Sequence, residues 1–131
     1  MGLYKNLDIY GKNWPTYDGT GIRDYIHVMD LAQAHVDALD HLMKNDPKIL
    51  DLNVGAGKGI SVLELINTFS NVNNCHIPFE YCERRKGDVP ILVADNRKII
   101  KTLKWEPQRS LEEMCIDGWK WKILNPNGYQ S

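Results

Sequence analysis

The apolar and polar positions of this chain follow two different periods, one typical of strands and the other of helices. Short runs that are apolar throughout, or at every second position, predict β-strands. Residues 49–54, Ile-Leu-Asp-Leu-Asn-Val, carry the strongest strand pattern. A segment rich in Gly, Pro, Asn and Asp at 11–21 predicts a loop, because these residues favour turns. The predicted strands are Leu7–Tyr10, 22–28, 49–54 and 78–82.

Helical spacing begins after Asp30. Asp30 is the expected N-cap, since its carboxylate can accept backbone N–H groups that the first turn leaves without partners. Pro47 is expected to close the region. The predicted apolar face of this helix consists of Leu31, Ala34, Ala38, Leu39 and Leu42.

Capping residues predict three further helices. Ser61 with Glu64 and Ser110 with Glu113 both match the capping-box pattern, in which two side chains satisfy each other's backbone N–H groups. Asp95 is the expected N-cap of a shorter helix between them. These helices are predicted over 61–70, over 95–103, and from 110 to a terminal turn at 125–129.

The fold class that follows is α/β, a small mixed domain of about four helices and a few short strands. With 131 residues, the chain is expected to form one domain over 1–131. It carries 16 Lys and Arg against 17 Asp and Glu, a net charge of −1, which argues against a nucleic-acid surface. No apolar run approaches the roughly 18 residues of a membrane span. Three cysteines without a C-x-x-C pair suggest reduced thiols and a cytoplasmic location.

The glycine cluster at 55–59 invites a phosphate-binding interpretation, but its spacing argues against one. A dinucleotide-binding turn needs glycines at relative positions one, three and six, and here Ile60 stands sixth. A phosphate loop of the Gly-Lys-Ser/Thr type is also missing. A purely structural turn and a ligand-contacting turn remain equally open. The histidines and cysteines show no metal-ligand spacing, so no metal site is expected.

Two basic segments offer the clearest candidate chemistry. Arg23 and Arg85 each carry a planar donor fork that matches phosphate oxygens, and two such forks could clamp a diphosphate. The alternative is a local ion pair, Arg85 with Asp88 or Arg23 with Asp24, and residue type alone favours it.

Several motifs in order resemble UDP-glucose 4-epimerases, a family of extended short-chain dehydrogenases/reductases. The most specific is Gly-Thr-Gly-Ile-Arg-Asp-Tyr-Ile-His-Val-Met-Asp-Leu-Ala at 19–32. The resemblance covers essentially the whole chain, but only the carboxyl-terminal, substrate-binding part of the family. The other matching segments are 52–57, 84–90, 94–95, 111–114 and 125–129.

The resemblance implies a UDP-sugar-binding domain whose ligands are UDP-glucose and UDP-galactose. By this likeness, Arg23 and Arg85 contact the diphosphate, and Asp88 lies beside the ribose. Tyr10 and Val62 lie near the uracil.

The resemblance also places Leu92 at a position whose bulk helps decide whether an N-acetylated sugar fits. A leucine there leaves that preference open.

The chain departs from the family in its catalytic residues. The family binds NAD through an amino-terminal glycine-rich turn and uses a Ser with a Tyr-x-x-x-Lys pair. The residue four positions after Tyr4, Tyr10, Tyr17, Tyr25 or Tyr81 is never Lys, and Tyr129 is too near the end. We therefore expect no catalytic residues, no cofactor bound by this chain alone, and no activity alone. In the complete enzyme, as the resemblance implies, bound NAD⁺ would oxidise the sugar C4 hydroxyl to a ketone, and the resulting NADH would reduce the rotated ketone from its other face.

Two other interpretations stay open. The first is a non-catalytic remnant or interaction module that associates with an amino-terminal dinucleotide-binding (Rossmann) partner or forms a homodimer. The second is a fragment of another NAD-dependent nucleotide-sugar enzyme, a dehydratase or a decarboxylase.

Overall fold

A computed structural model describes residues 5–45 and 49–129, and Pro47 lies outside these ranges. The described part has four helices and five short strands, so the predicted small mixed α/β domain is confirmed. In chain order the elements are β1 (Leu7–Tyr10), β2 (Ile22–Asp24), α1 (Val28–Lys44), β3 (Gly59–Ser61), α2 (Val62–Val72), β4 (Phe79–Cys82), β5 (Ile91–Leu92), α3 (Arg97–Leu103) and α4 (Leu111–Leu124).

The strands form two small sheets. β1 pairs with β4 in parallel, with Leu7 opposite Phe79 and Tyr10 opposite Cys82. The second sheet has the order β3-β2-β5, in which β2 runs antiparallel to β3 and parallel to β5. β1 and β4 match the predicted strands, whereas β3 and β5 were not predicted, because two or three residues carry too little periodicity to be recognised.

The strand predicted over 49–54 is wrong: these residues form neither a strand nor a helix. Leu52 and Val54 still pack against the core formed by Ala34, Ile99 and Trp105, which accounts for the apolar pattern. Within 5–45 and 49–129, however, no backbone hydrogen bond joins 49–54 to another segment. A strand requires such a partner, and hydrophobicity alone cannot supply it.

The predicted start of the first helix is also wrong. Only 22–24 of the predicted extended segment 22–28 is a strand, and α1 begins at Val28. Its N-cap is His27, whose Nδ1 accepts the Met29 N–H at 3.1 Å. The predicted cap, Asp30, instead lies inside the first turn with only 2% of its surface exposed.

Asp30 is buried because residues 108–109 satisfy its carboxylate. Oδ2 accepts the backbone N–H groups of Gln108 at 3.0 Å and Arg109 at 2.9 Å, and the Arg109 guanidinium forms an ion pair with Oδ1. Burial by itself raises the pKa of Asp30, but these hydrogen bonds outweigh it and hold the pKa below its ordinary value. The Asp30 carbonyl accepts Trp105 Nε1–H at 3.1 Å, which joins this polar contact to the core.

One face of α1 remains uncovered. Ala34 is buried in the core, but Leu39 and Leu42, predicted to lie inward, are exposed. Met29, Val36, Leu39 and Met43 recur at helical spacing and are 54%, 59%, 60% and 79% exposed. We call these four residues the α1 stripe.

The remaining helices begin close to where their caps predict. Ser61 Oγ accepts the Glu64 N–H at the start of α2, and Ser110 with Glu113 forms the full capping box of α4. The predicted cap of α3, Asp95, is one residue early: Asn96 is the cap position. α2 and α4 pack together, with the Phe69 and Trp119 rings 5.5 Å apart edge to face. Among the described residues, no helix is both long and apolar enough to cross a membrane.

Candidate functional site

Three of the six predicted site residues lie together at the ends of β1 and β4. The Arg85 guanidinium lies over the Tyr10 ring, 4.5 Å from its centre, and Arg85 Nε donates to Asp88 Oδ2 at 3.0 Å. The Arg85 side chain is 60% exposed, so the ring orients it without burying it. The ion pair expected as the local alternative is therefore present. It occupies only the Nε donor, and the remaining guanidinium N–H groups stay available to an anion.

Arg23 and Leu92 are direct neighbours on the second sheet. They are Cα partners in the β2–β5 pair, and both line an open groove of about 650 Å³ together with Leu52 and Val54. Small-molecule sites typically measure about 300–1,000 Å³ and combine apolar walls with a few polar groups, as this groove does. Leu92 is 61% exposed, so its side chain lies free at the wall of the groove.

Arg23 does not pair with Asp24, the partner that the local alternative suggested. Its Nη1 donates to the Ile22 carbonyl at 2.8 Å. Among the described residues, no carboxylate forms an ion pair with the Arg23 guanidinium.

Val62 lies on the far side of β2, at the first position of α2. Its N–H donates to the Gly21 carbonyl at 3.0 Å, directly before the strand that carries Arg23. The two groups of site residues are joined through β5, because the Pro90 carbonyl accepts the Ile22 N–H at 2.8 Å, two residues after Asp88. All six predicted residues are thus linked through the backbone. The side chains of Tyr10, Arg85 and Asp88 form one cluster and those of Arg23 and Leu92 a second, while Val62 is linked to them only through its backbone.

A buried polar network fixes the start of α2 beside Val62. Ser61 and Thr20 have no exposed surface, and Ser61 Oγ donates to the Asp18 carboxylate. Thr20 donates to Asp18 Oδ1 from both its N–H, at 2.9 Å, and its hydroxyl, at 2.8 Å. Burial raises the pKa of Asp18, but the hydrogen bonds from Ser61 and Thr20 prevail and lower it below 3.8.

The role of Asp24 could not be inferred from sequence. Its carboxylate accepts three backbone N–H groups, from Ala56 at 2.7 Å, Gly57 at 3.0 Å and Ala94 at 3.1 Å. A Cβ at Gly55 would lie 2.5 Å from Asp24 Oδ2 and 2.6 Å from Ala94 Cβ, so only glycine fits there. Asp24 thus ties the glycine turn and the residues after β5 to β2, beside Arg23 and Leu92.

The same contacts bear on the question that the glycine turn left open. A turn that binds a dinucleotide offers free backbone N–H groups to the pyrophosphate. Here the Ala56 and Gly57 N–H groups already donate to a carboxylate, whose negative charge repels a phosphate. These two N–H groups are therefore not free to hold a pyrophosphate, which favours the structural interpretation of the turn.

No metal centre emerges from the described ranges either: among residues 5–45 and 49–129, no group of three or more His, Cys, Asp or Glu side chains is placed to hold an ion.

Arg84 and Trp14 form a second arginine–aromatic pair, which the sequence does not predict. The Arg84 guanidinium lies 3.8 Å from the centre of the Trp14 ring and donates to Asn13 Oδ1 at 2.8 Å and to the Asn13 carbonyl. Trp14 Nε1–H in turn donates to the Tyr10 carbonyl at 3.2 Å. The sequence shows only that Trp14 precedes Pro15 in a loop rich in turn residues, and this pattern gives no indication that Trp14 contacts Arg84.

Comparison with known proteins gives consistent results. The model of the family described as GDP-mannose 4,6 dehydratase matches residues 2–117. A UDP-glucose 4-epimerase of Bacillus subtilis (strain 168) is 44% identical over 131 residues, which is 100% of this chain and 38% of that protein. UDP-glucose 4-epimerase GEPI42 of Cyamopsis tetragonoloba is 47% identical over 95% of this chain and 35% of its own length.

Solved structures give the same result. A UDP-glucose 4-epimerase from Stenotrophomonas maltophila, with bound NAD and formylated UDP-arabinopyranose, superposes with a TM-score of 0.90 at 42% identity. The alignment covers 95% of this chain and 37% of that one. The enzyme from Bifidobacterium longum, in complex with NAD⁺ and UDP, also gives 0.90, at 38% identity over 98% of this chain and 38% of its own.

This chain therefore spans somewhat over a third of the length of the relatives that it matches. The family model covers most of the chain, and the fold and the relatives agree with it. The chain belongs to the GDP-mannose 4,6 dehydratase family, within the extended short-chain dehydrogenases/reductases.

Proposed function

We propose that this chain is the nucleotide-sugar-binding portion of a UDP-glucose 4-epimerase, and that it does not epimerise a sugar by itself. The observation that carries the proposal is the Tyr10–Arg85–Asp88 cluster. It presents a flat ring, a cation with free donors and a carboxylate within one small area. These are the chemical groups that a nucleoside diphosphate requires for its base, its phosphates and its ribose hydroxyls.

In this proposal, each site residue has the role that the resemblance implies. Arg85 and Arg23 bind the diphosphate through their free donors, and Asp88 accepts a hydrogen bond from the ribose. Tyr10 and Val62 contact the uracil, and Leu92 borders the sugar in the groove beside Arg23. The epimerases at 41–47% identity favour this assignment over a dehydratase or a decarboxylase.

The chemistry at C4 belongs to the complete enzyme in this proposal. Hydride transfer needs a held nicotinamide and a general acid or base at the sugar. The glycine turn of this chain is occupied by Asp24, and no Tyr-x-x-x-Lys pair is present in the sequence. The chain's contribution is to bind and orient the nucleotide sugar, and NAD would be held by another part of the enzyme.

Calorimetric titration with UDP, UDP-glucose and UDP-galactose tests this proposal. We expect binding of all three, and Arg85→Gln should weaken it about tenfold or more, since a charge-assisted hydrogen bond contributes about 1.5–3 kcal/mol. Lys86→Gln is the matched control, because it removes the same charge one residue away and leaves the cluster intact. ADP-glucose should bind more weakly than UDP-glucose.

Two results would overturn the proposal. One is a wild-type chain that ignores all three uridine nucleotides. The other is NAD-dependent interconversion of UDP-glucose and UDP-galactose by the pure chain.

A second proposal concerns association with an amino-terminal dinucleotide-binding partner. The exposed α1 stripe supports it, since exposed apolar surface favours association. Residues 49–54 add backbone groups that make no backbone hydrogen bond to another segment among the described residues. Light scattering of the chain alone, and mixed with the remaining portion of the B. subtilis relative, tests it. Complex formation that Val36→Glu abolishes is expected. A monomer that gains no mass with that portion, or a homodimer instead, contradicts it.

A further inference from the structure

We propose that Arg84 is a positioning residue, which holds Arg85 and Tyr10 in the geometry that binds a nucleoside diphosphate. This inference rests on the proposed function, because it assumes that the Tyr10–Arg85–Asp88 cluster binds the nucleotide. Arg84 itself faces the loop at 11–14, and its contacts lie with Trp14 and Asn13.

Arg84 and Arg85 have adjacent positions and separate partners. Arg84 lies over the Trp14 ring, and Arg85 lies over the Tyr10 ring. Both follow β4, whose last residue, Cys82, pairs with Tyr10 at the end of β1. The backbone that carries both arginines therefore leaves the sheet next to the ring that Arg85 covers.

Trp14 links Arg84 back to the Tyr10 backbone. Its indole N–H donates to the Tyr10 carbonyl at 3.2 Å while its ring supports the Arg84 guanidinium. These contacts form a closed circuit. The Tyr10 carbonyl accepts the Trp14 N–H, the Trp14 ring contacts Arg84, Arg84 is bonded to Arg85, and Arg85 lies over the Tyr10 ring. Within it, the Trp14 indole holds the Tyr10 backbone, and a shift of the Arg85 guanidinium away from the Tyr10 ring would break the contact between them.

Gly11 makes this set of contacts possible. Its φ is +90°, a left-handed conformation that glycine adopts at little cost. A Cβ there would lie 2.4 Å from Trp14 Nε1 and 2.9 Å from Arg84 Cγ. The loop thus packs directly against both side chains, at a distance that no other residue would allow.

The circuit has a clear benefit for binding. Arg85 is 60% exposed, and a long exposed side chain pays rotamer entropy when a ligand fixes it. Restricting Arg85 before the ligand arrives reduces that cost. Arg84 therefore strengthens binding through Arg85, without a contact of its own to the nucleotide.

A double-mutant cycle on UDP binding tests the inference. Arg84→Gln should weaken UDP binding about tenfold, from the lost cation–π contact and hydrogen bonds. In an Arg85→Gln background, the same change should cost less than about twofold, because the residue through which Arg84 acts is gone. Lys86→Gln controls for the loss of charge. Equal costs of Arg84→Gln in both backgrounds would refute a positioning role.

Two further arms keep the test decisive. Trp14→Phe retains a ring beneath Arg84 and should retain more UDP affinity than Trp14→Leu. In the nucleotide-free chain, Arg84→Gln should shift the Arg85 Nε–H and Tyr10 ring NMR signals, and Lys86→Gln should not. If the wild-type chain binds no UDP, the proposed function fails, and the NMR arm still decides whether Arg84 positions Arg85. Unchanged Arg85 and Tyr10 signals would overturn the inference.

Discussion

Asp24→Asn is the substitution that most directly tests how the binding groove is held. The Asp24 carboxylate accepts three backbone N–H groups, two on Oδ2 and one on Oδ1. Asparagine keeps one oxygen, so it loses at least one of these bonds and turns an NH₂ group toward an N–H donor. A hydrogen bond to a charged group contributes about 1.5–3 kcal/mol, so the expected loss in the free energy of unfolding is about 2–4 kcal/mol. That is a large fraction of the roughly 5–15 kcal/mol typical of a whole domain.

Urea unfolding followed by circular dichroism measures this loss. With a slope of about 1–3 kcal/mol per molar urea, the midpoint should fall by about 1–2 M. Asp40→Asn is the matched control. Asp40 is 58% exposed and pairs only with Lys44 on the same helix, so the same chemical change should cost under about 0.5 kcal/mol. Equal midpoints for the two variants would show that Asp24 does not anchor the turn.

Three further predictions follow from contacts described above. The pKa of Asp18 is lower in the folded protein than its ordinary value of 3.8. The ionised carboxylate therefore stabilises the fold at pH values above 3.8, and this stabilisation is lost as the pH falls through the pKa of the folded state. Asp18→Asn should therefore lose less urea stability than wild type between about pH 5 and pH 2.5, and parallel losses would contradict the assignment. Trp105→Ala should cost about 3–5 kcal/mol in the same unfolding assay, because this buried ring joins the core to Asp30. Ser110→Ala should cost about 1 kcal/mol by breaking the capping box of α4, whereas a cost near zero would mean that the helix end is held otherwise.

Local signals in the sequence predicted local structure well. The caps at Ser61 and Ser110 depend on residues only three positions away, and both are present. The Arg85–Asp88 pair spans three residues and was likewise foreseen as one of two alternatives. Strands β1 and β4 each carry four residues, enough for their pattern to be visible.

Structure that depends on distant residues was not predictable in the same way. Segment 49–54 has the composition of a strand, but a strand exists only where another backbone lies alongside it. Asp24 contacts residues 32 to 70 positions away, and nothing near it in sequence indicates that role. Asp30 has the right residue type for a cap, but burial against Arg109 fixes it in another position. The resemblance to epimerases, by contrast, indicated which residues to compare even where periodicity failed.

The parallel pairing of β1 with β4 has a consequence for how this protein folds. Leu7 meets Phe79, so the pair closes a loop of roughly 70 residues before any of its hydrogen bonds can form. Contacts between such distant positions slow folding, whereas α1, α2 and α4 can form from nearby residues. During synthesis, Tyr10 must wait until Cys82 and Arg85 have left the ribosome. The Tyr10–Arg85–Asp88 cluster therefore assembles later than helices such as α1, which form from nearby residues.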